Sequence, residues 1–317
     1  MQLAVSCSMA TLSWMYCTWR PGPPGNPADV KTIVAFGGNL TIFNSLNYVV
    51  RNLDNVLIGR RWGASELGFY SRAYQLMLMP LSQIVGPVGA VAIPALSQLQ
   101  NDPERFREYY LKGLRMIAYL SMPLMTVMAV LSDEVIVFVL GPRWQSAARI
   151  FRILAMAAVF QPIVSSSGWI MTALNRARTM AIWGAIATPV MVIAFLIGLP
   201  WGGVGVACGY TLADWILSGP ALYIALRNSP ISLTDVFQVI LTPFLLCIVL
   251  AAVVALLSRS LTGTSPWIVL CAAPVVCTLT ILTARAMSSK LNRDLAVLME
   301  GVRSLWQNPN KNSGLTT

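Results

Sequence analysis

The sequence predicts an all-α fold, a polytopic transmembrane helix bundle of about nine spans, each needing about 20 apolar residues to cross the hydrocarbon. Three observations predict it. Only 11% of the 317 residues are charged, against roughly 25% in soluble domains. The mean hydropathy is +0.66, and a soluble chain this apolar could not cover its surface with polar groups. The apolar residues also gather in long runs, separated by short connections rich in Pro and Gly.

The runs lie at 2–19, 33–50, 67–96, 113–132, 148–173, 179–199, 203–226, 236–257 and 266–286. The third contains Pro80, Gly86, Pro87, Gly89 and Pro94, which predicts a kinked or tilted helix. The connections include Pro21-Gly22-Pro23-Pro24-Gly25, Gly141-Pro142 and Pro200-Trp201-Gly202-Gly203. None of them has the length of a soluble catalytic domain.

Composition excludes several chemistries. There is no histidine, the commonest general base and metal ligand. The six cysteines sit inside apolar stretches without a CxxC pair, so they read as small hydrophobes rather than disulfides or a zinc site. No cofactor and no metal is expected. The net charge of +10 does not indicate nucleic acid, because the basic residues are scattered over short loops. In a membrane protein, excess Lys and Arg report topology.

If the loop at 20–32 is cytoplasmic, alternation places 14 basic residues on that side and 7 on the other, with Arg51 left within a span. This agrees with the positive-inside rule. It puts the C-terminus in the cytoplasm and residue 1 outside. A chain that starts outside, with a first span that has no basic flank before it, is expected to be the continuation of a longer protein.

Two segments are expected to lie at the interface. At 102–115, Asp102 is placed to cap a helix, with Pro103 at its first position and Glu104 in its first turn. In the tail, Leu291, Leu295, Leu298, Val302 and Leu305 recur at helical spacing, with Lys290, Arg293 and Arg303 off the stripe. That pattern fits an amphipathic helix on the inner leaflet or on the protein's own cytoplasmic end. Asp133-Glu134 precede a short apolar run, which predicts a short helix with acidic residues at its positive end.

Charge inside a span is costly and points to a cavity or a partner. Arg51 and Asp54 lie three apart on one helical face. They are candidates to line a polar cavity and touch an anionic or sugar group, or to form a structural ion pair. Arg60, Arg61, Arg72, Arg143, Arg149 and Arg152 are basic on the side where positive charge is under-used. Guanidinium groups bind phosphate bidentately, so a pyrophosphate-bearing substrate would account for them, as would lipid headgroups. Asp214 lies mid-span among Leu212, Trp215 and Leu217. Cation or proton coupling and a hydrogen bond to a neighbouring helix are both open to it.

Several stretches resemble a known family. They are Trp19-Arg20-Pro21-Gly22, Phe36-Gly37, Asp54-Asn55-Val56-Leu57-Ile58-Gly59-Arg60 and Leu67-Gly68-Phe69-Tyr70-Ser71-Arg72-Ala73-Tyr74. Pro80, Pro94, Gly141-Pro142-Arg143-Trp144, Ala173-Leu174-Asn175-Arg176 and Gly203-Val204-Gly205-Val206-Ala207 follow. The chain resembles the C-terminal part of polysaccharide flippases of the Wzx/exopolysaccharide type, in the multidrug/oligosaccharidyl-lipid/polysaccharide exporter superfamily.

The resemblance implies two helix bundles with extra C-terminal helices. It also implies alternating access of a lipid-pyrophosphate-linked oligosaccharide across a bacterial inner membrane, with no covalent chemistry. On that map, residues 1–19 end a first bundle, 20–32 form a cytoplasmic linker and 33–226 form the second bundle. Residues 227–286 add two helices, and 287–317 form the amphipathic helix and tail. The substrate-binding candidates are then Arg51, Asp54, Arg60, Arg72, Arg149 and Arg176, with Asp214 for coupling. Membrane lipids and the polysaccharide polymerase or export machinery are the other implied partners. A cation-coupled multidrug exporter of the same superfamily is the alternative. A membrane polymerase or acyltransferase would want a large outer loop or membrane-facing His and Asp groups, which this sequence lacks.

Overall fold

The computed structural model describes residues 2–17 and 27–260. The chain divides into two units, Met1–Gly38 and Asn39–Thr317. The first holds α1 (Gln2–Tyr16), a helix of 15 residues, and the start of α2 (Pro27–Gln98). All the elements below belong to the second unit. They are the rest of α2, α3 (Pro103–Val130), α4 (Ser132–Leu140), α5 (Ala147–Ala158) and α6 (Gln161–Ala173), then α7 (Ala177–Gly198), α8 (Gly202–Leu226) and α9 (Leu233–Ser260). Among the described residues there is no strand, as the all-α expectation requires.

The expected loop between the second and third runs is instead helical up to a single residue. Gly63 breaks α2 with φ 82° and ψ −177°, a backbone conformation that glycine adopts without steric cost. Within the second unit, the arms on either side, 39–62 and 64–98, do not continue in line. Asp54 and Tyr70 would stand about 24 Å apart on one straight helix at 1.5 Å per residue, yet Tyr70 Oη donates to Asp54 Oδ2 over 2.8 Å. The chain therefore folds back at Gly63. Arg60 and Arg61 lie on the last turn of the first arm rather than in an open loop.

The same end of the molecule is tied by two contacts from that turn. Trp62 Nε1 donates to Leu199 O at 2.8 Å. Glu66 Oε1 accepts from the Gly203 backbone N–H at 2.9 Å, which places a carboxylate on the first turn of α8, where orphan N–H groups and the helix dipole favour it. A short 3-10 turn, Leu199–Trp201, joins α7 to α8. These two helices approach so closely that a Cβ on Gly205 would sit 2.1 Å from Gly198 O, and one on Gly209 would sit 2.4 Å from Ala194 O. Small residues at such a seam let two apolar helices pack backbone to backbone.

Asp102 caps α3 as expected, its Oδ1 accepting from the Arg105 backbone N–H at 3.2 Å, with Pro103 opening the helix. The expected interfacial segment at 102–115 is not separate, however: it runs unbroken into the span as one helix of 28 residues. The short acidic-start helix appears as α4, with Asp133 and Glu134 in its first turn. The single run expected at 148–173 is a bent pair, α5 and α6 meeting at 44°, with Pro162 at the start of the second piece.

Among the described residues, four helical stretches are long and apolar enough to cross a membrane, or five counting the bent pair. Two of those stretches, Val34–Gln98 and Ala177–Leu226, each contain two of the expected runs. The run at 266–286 and the tail helix lie outside the described residues.

Among the described residues, two large apolar cores and a smaller cluster around Met171 and Met180 hold the second unit. One gathers Tyr70, Met77, Phe151, Leu154 and Phe195. The other gathers Leu96, Phe106, Tyr110, Leu114 and Ile170. At the end opposite Gly63, Arg107 grips Asp235 with two hydrogen bonds, Nε to Oδ2 at 2.8 Å and Nη2 to Oδ1 at 2.5 Å. That fork fixes the start of α9 to the start of α3.

Candidate functional site

A cleft of about 630 Å³ opens between the first arm of α2, α6, α7 and α8. Its volume falls in the range of roughly 300–1,000 Å³ typical of ligand pockets. The first arm lines it with Asn44, Asn47, Tyr48 and Arg51, at the spacing of one helical face. Gln161 and Ser165 face it from α6, Trp183 and Thr188 from α7, and Asp214 and Ser218 from α8. Arg51 and Asp214 are the two charged residues on the wall. The rest of its polar surface is amide and hydroxyl.

Several of these groups are held in place from behind. Tyr210, one turn before Asp214 on α8, accepts a hydrogen bond from Gln161 Nε2 at 2.8 Å. The rings of Tyr210 and Tyr74 meet edge to face, their centroids 5.8 Å apart. Tyr74 stacks on Tyr70, which bonds Asp54. A ladder of tyrosines thus runs from the Asp54 side of the bundle to the back of the cleft. Beside its end, Gln161 Oε1 and Asp214 Oδ2 are both shielded and have no hydrogen-bond partner among the described residues. Ser218, one turn further along α8, donates to the Asp214 backbone carbonyl and not to its carboxylate.

Beyond this polar cleft lies a second, apolar groove of about 510 Å³. Phe160, Trp215, Phe237 and Phe244 frame it. The two compartments share Val164 and Ser218 as a common wall.

Arg51 and Asp214 are therefore brought into one cleft, although 163 positions separate them in the sequence. Arg51 and Asp54 do not pair. Arg51 is exposed on the cleft wall, while Asp54 is 1% exposed and bonded to Tyr70 and the Asn55 backbone N–H. Arg60, Arg72 and Arg149 lie exposed and away from the cleft. Arg72 bonds Gln75 at 3.3 Å. Arg152 is engaged by Ser132 and Asp133. Arg176 is turned to the end of α8, where it donates to the carbonyls of Ile224, Ala225 and Arg227, a cation closing the negative end of a helix. Sequence reasoning missed Gln161, Asn44, Asn47 and Thr188. Uncharged polar residues occur singly in many apolar helices, and only their convergence marks them. Gln161 carries one further signal, its place beside the Pro162 break.

No group of three or more His, Cys, Asp or Glu that could hold a metal occurs among the described residues.

Residues 1–149 match the family model described as "Polysaccharide biosynthesis protein". The chain is 26% identical over 248 residues to the teichuronic acid biosynthesis protein TuaB of Bacillus subtilis (strain 168), covering 77% of this chain and 51% of that protein. The chain is therefore similar to proteins of polysaccharide biosynthesis. It is also 26% identical over 199 residues to the lipopolysaccharide biosynthesis protein WzxC of Escherichia coli (strain K12), covering 62% of this chain and 40% of that one. It therefore spans about half the length, or less, of these relatives. In structure it is similar to the lipid II flippase MurJ in its inward closed conformation, with a TM-score of 0.58, 18% identity, and coverage of 75% of this chain and 52% of that one. The all-α helix bundle expected from the sequence is the fold class observed among the described residues, and that protein shares it.

Proposed function

We propose that this chain acts in a flippase that moves a lipid-linked oligosaccharide across the bacterial inner membrane for polysaccharide biosynthesis. One observation carries the reading beyond the family relationship: a polar cleft and an apolar groove share a wall. A ligand with a hydrophilic head and a long apolar tail needs two such compartments side by side. Arg51 is the cation of the polar compartment and suits the phosphate of a lipid carrier. The same cation disfavours a cationic drug as cargo. Transport needs no bond to be made or broken, so no catalytic group is required.

In this reading residues 33–226 supply one of two helix bundles, and α9 with the following run at 266–286 are additions to it. The C-terminus is cytoplasmic, following the basic loops. Polysaccharide polymerase and export proteins are the partners that would receive the product.

The test is made in the strain that carries the gene. Its deletion leaves lipid-linked oligosaccharide on the cytoplasmic leaflet and stops polysaccharide export. A chromosomal Arg51→Ala weakens export about tenfold or more, the cost of losing a charge-assisted contact to phosphate. Normal export after deletion would overturn the reading.

A further inference from the structure

The Gly63 end of the molecule carries more cations than the chain itself uses. Arg60 and Arg61 stand on the last turn of the first arm of α2, Arg143 in the link between α4 and α5, and Arg149 on the first turn of α5. The link lies at this end because Trp144 meets Phe69 edge to face, with ring centroids 5.8 Å apart. The start of α5 lies there too, since Ile150 packs on Gly203, which also bonds Glu66. All four arginines are exposed, and none makes a hydrogen bond or ion pair with a described residue. Of the carboxylates in these segments, Glu66 is held by the Gly203 N–H and Asp133 by Arg152, which leaves Glu134 against four cations. Three exposed apolar stripes give the depth of this end in the membrane. On the first arm, Ile42, Val49 and Val56 are exposed seven residues apart, on one helical face, and Arg60 follows four positions on. On α7, Ile186, Ile193 and Ile197 are exposed, and Trp201 follows, 69% exposed. On α5, exposed Met156 shares its face with Arg152 and Arg149. Exposed apolar stripes on spanning helices face hydrocarbon, and Trp marks the headgroup level. The four guanidinium groups therefore stand where lipid phosphates lie.

We propose that Arg60, Arg61, Arg143 and Arg149 form a binding surface for acidic phospholipid headgroups of the leaflet at this end, separate from the cleft and from whatever the cleft carries. Three features select this ligand. A guanidinium fork matches the two free oxygens of a phosphodiester. The stem of each arginine lies along apolar surface while its head reaches the phosphate. The surplus of cations discriminates among lipids: an ethanolamine headgroup brings its own ammonium, which these arginines repel, whereas a glycerol headgroup leaves the phosphate charge uncompensated. Phosphatidylglycerol is thus the phospholipid that the surface fits. Under the topology inferred from loop charge this is the outer leaflet, the side on which basic residues are otherwise least expected.

The experiment places a reporter beside the surface. In a background with the six native cysteines replaced, Ser146→Cys, exposed between Arg143 and Arg149, is labelled with bimane. The full chain is then reconstituted into phosphatidylcholine vesicles. These contain, at equal mole fraction, phosphatidylglycerol or phosphatidylcholine with a doxyl quencher near the headgroup end of one acyl chain. Phosphatidylglycerol is expected to reach an apparent concentration at the label roughly fivefold that of phosphatidylcholine, the effect of one cation beside an acidic headgroup. Arg143→Gln with Arg149→Gln should remove most of that preference, and adding Arg60→Gln with Arg61→Gln should remove the rest. Arg178→Gln, on the first turn of α7 at the opposite end, should leave it unchanged. Unaltered quenching by phosphatidylcholine in the variants shows that they remain folded in the bilayer. Replacing chloride by phosphate at equal ionic strength should also leave the preference intact. Its loss there would make free phosphate the ligand and overturn the proposal. Equal quenching by the two lipids in the chain with all four arginines would overturn it too, as would a preference that survives their removal. Each of these outcomes leaves the carrier reading of the cleft standing.

Discussion

At the scale of single residues, the informative contrast is between Arg51 and Asp54. Both are charges on an apolar helix three positions apart, and both were legible in the sequence because such charge is costly there. What could not be read was that they part company. Asp54 is sealed behind Tyr70, a partner 16 residues on and across a chain reversal. Arg51 is left on the cleft. Tyr70→Phe removes the donor that shelters a buried carboxylate and should destabilise the fold by ~1–3 kcal/mol, read as an earlier unfolding midpoint on titration with SDS. Arg176 teaches the opposite lesson. It was legible as a loop arginine of a family motif, but the carbonyls it caps lie 48 to 51 residues away, which no local pattern reveals.

At the scale of elements, starts were easier to read than turns. Asp102 with Pro103, and Asp133 with Glu134, announce helices through the chemistry of their first turns, and α3 and α4 begin there. The turn at Gly63 was hidden because Arg60 and Arg61 resemble loop residues, whereas a single left-handed glycine is enough to reverse the chain. The α7–α8 seam yields a sharp expectation. Gly205→Ala places a methyl against the Gly198 carbonyl and should cost about 1–3 kcal/mol, as overpacking does. Gly219→Ala, on the same helix with nothing within 4 Å, should be neutral or mildly stabilising in the same SDS titration. The Arg107–Asp235 fork makes a paired prediction: Arg107→Asp or Asp235→Arg alone lowers the thermal midpoint, and the double exchange recovers part of it. Failure of the double exchange to recover anything would mean that the fork is not what fastens α9 to α3.

At the scale of the molecule, the fold class followed from composition and run lengths, because the bilayer permits few solutions to a chain this apolar. The cleft did not follow, since its wall is assembled from the first arm of α2 and from α6, α7 and α8. Orientation is open to direct measurement. In a background with the six native cysteines replaced, Trp201→Cys should react with a membrane-impermeant maleimide added to spheroplasts. Asn228→Cys should react only after lysis. The reverse pattern would invert the topology inferred from loop charge.

The reversal at Gly63 also bears on how the protein is made. The first arm of α2 carries Asp54, a carboxylate that lipid cannot accommodate cheaply, and its shelter is Tyr70. At a synthesis rate of ~5–20 residues per second, the 16 residues between them take about one to three seconds to appear. Until they do, the leading arm has no reason to leave the translocation channel for the bilayer. The two arms should therefore partition as a pair, and a nascent chain arrested before Tyr70 should stay in contact with the channel longer when residue 54 is Asp than when it is Leu.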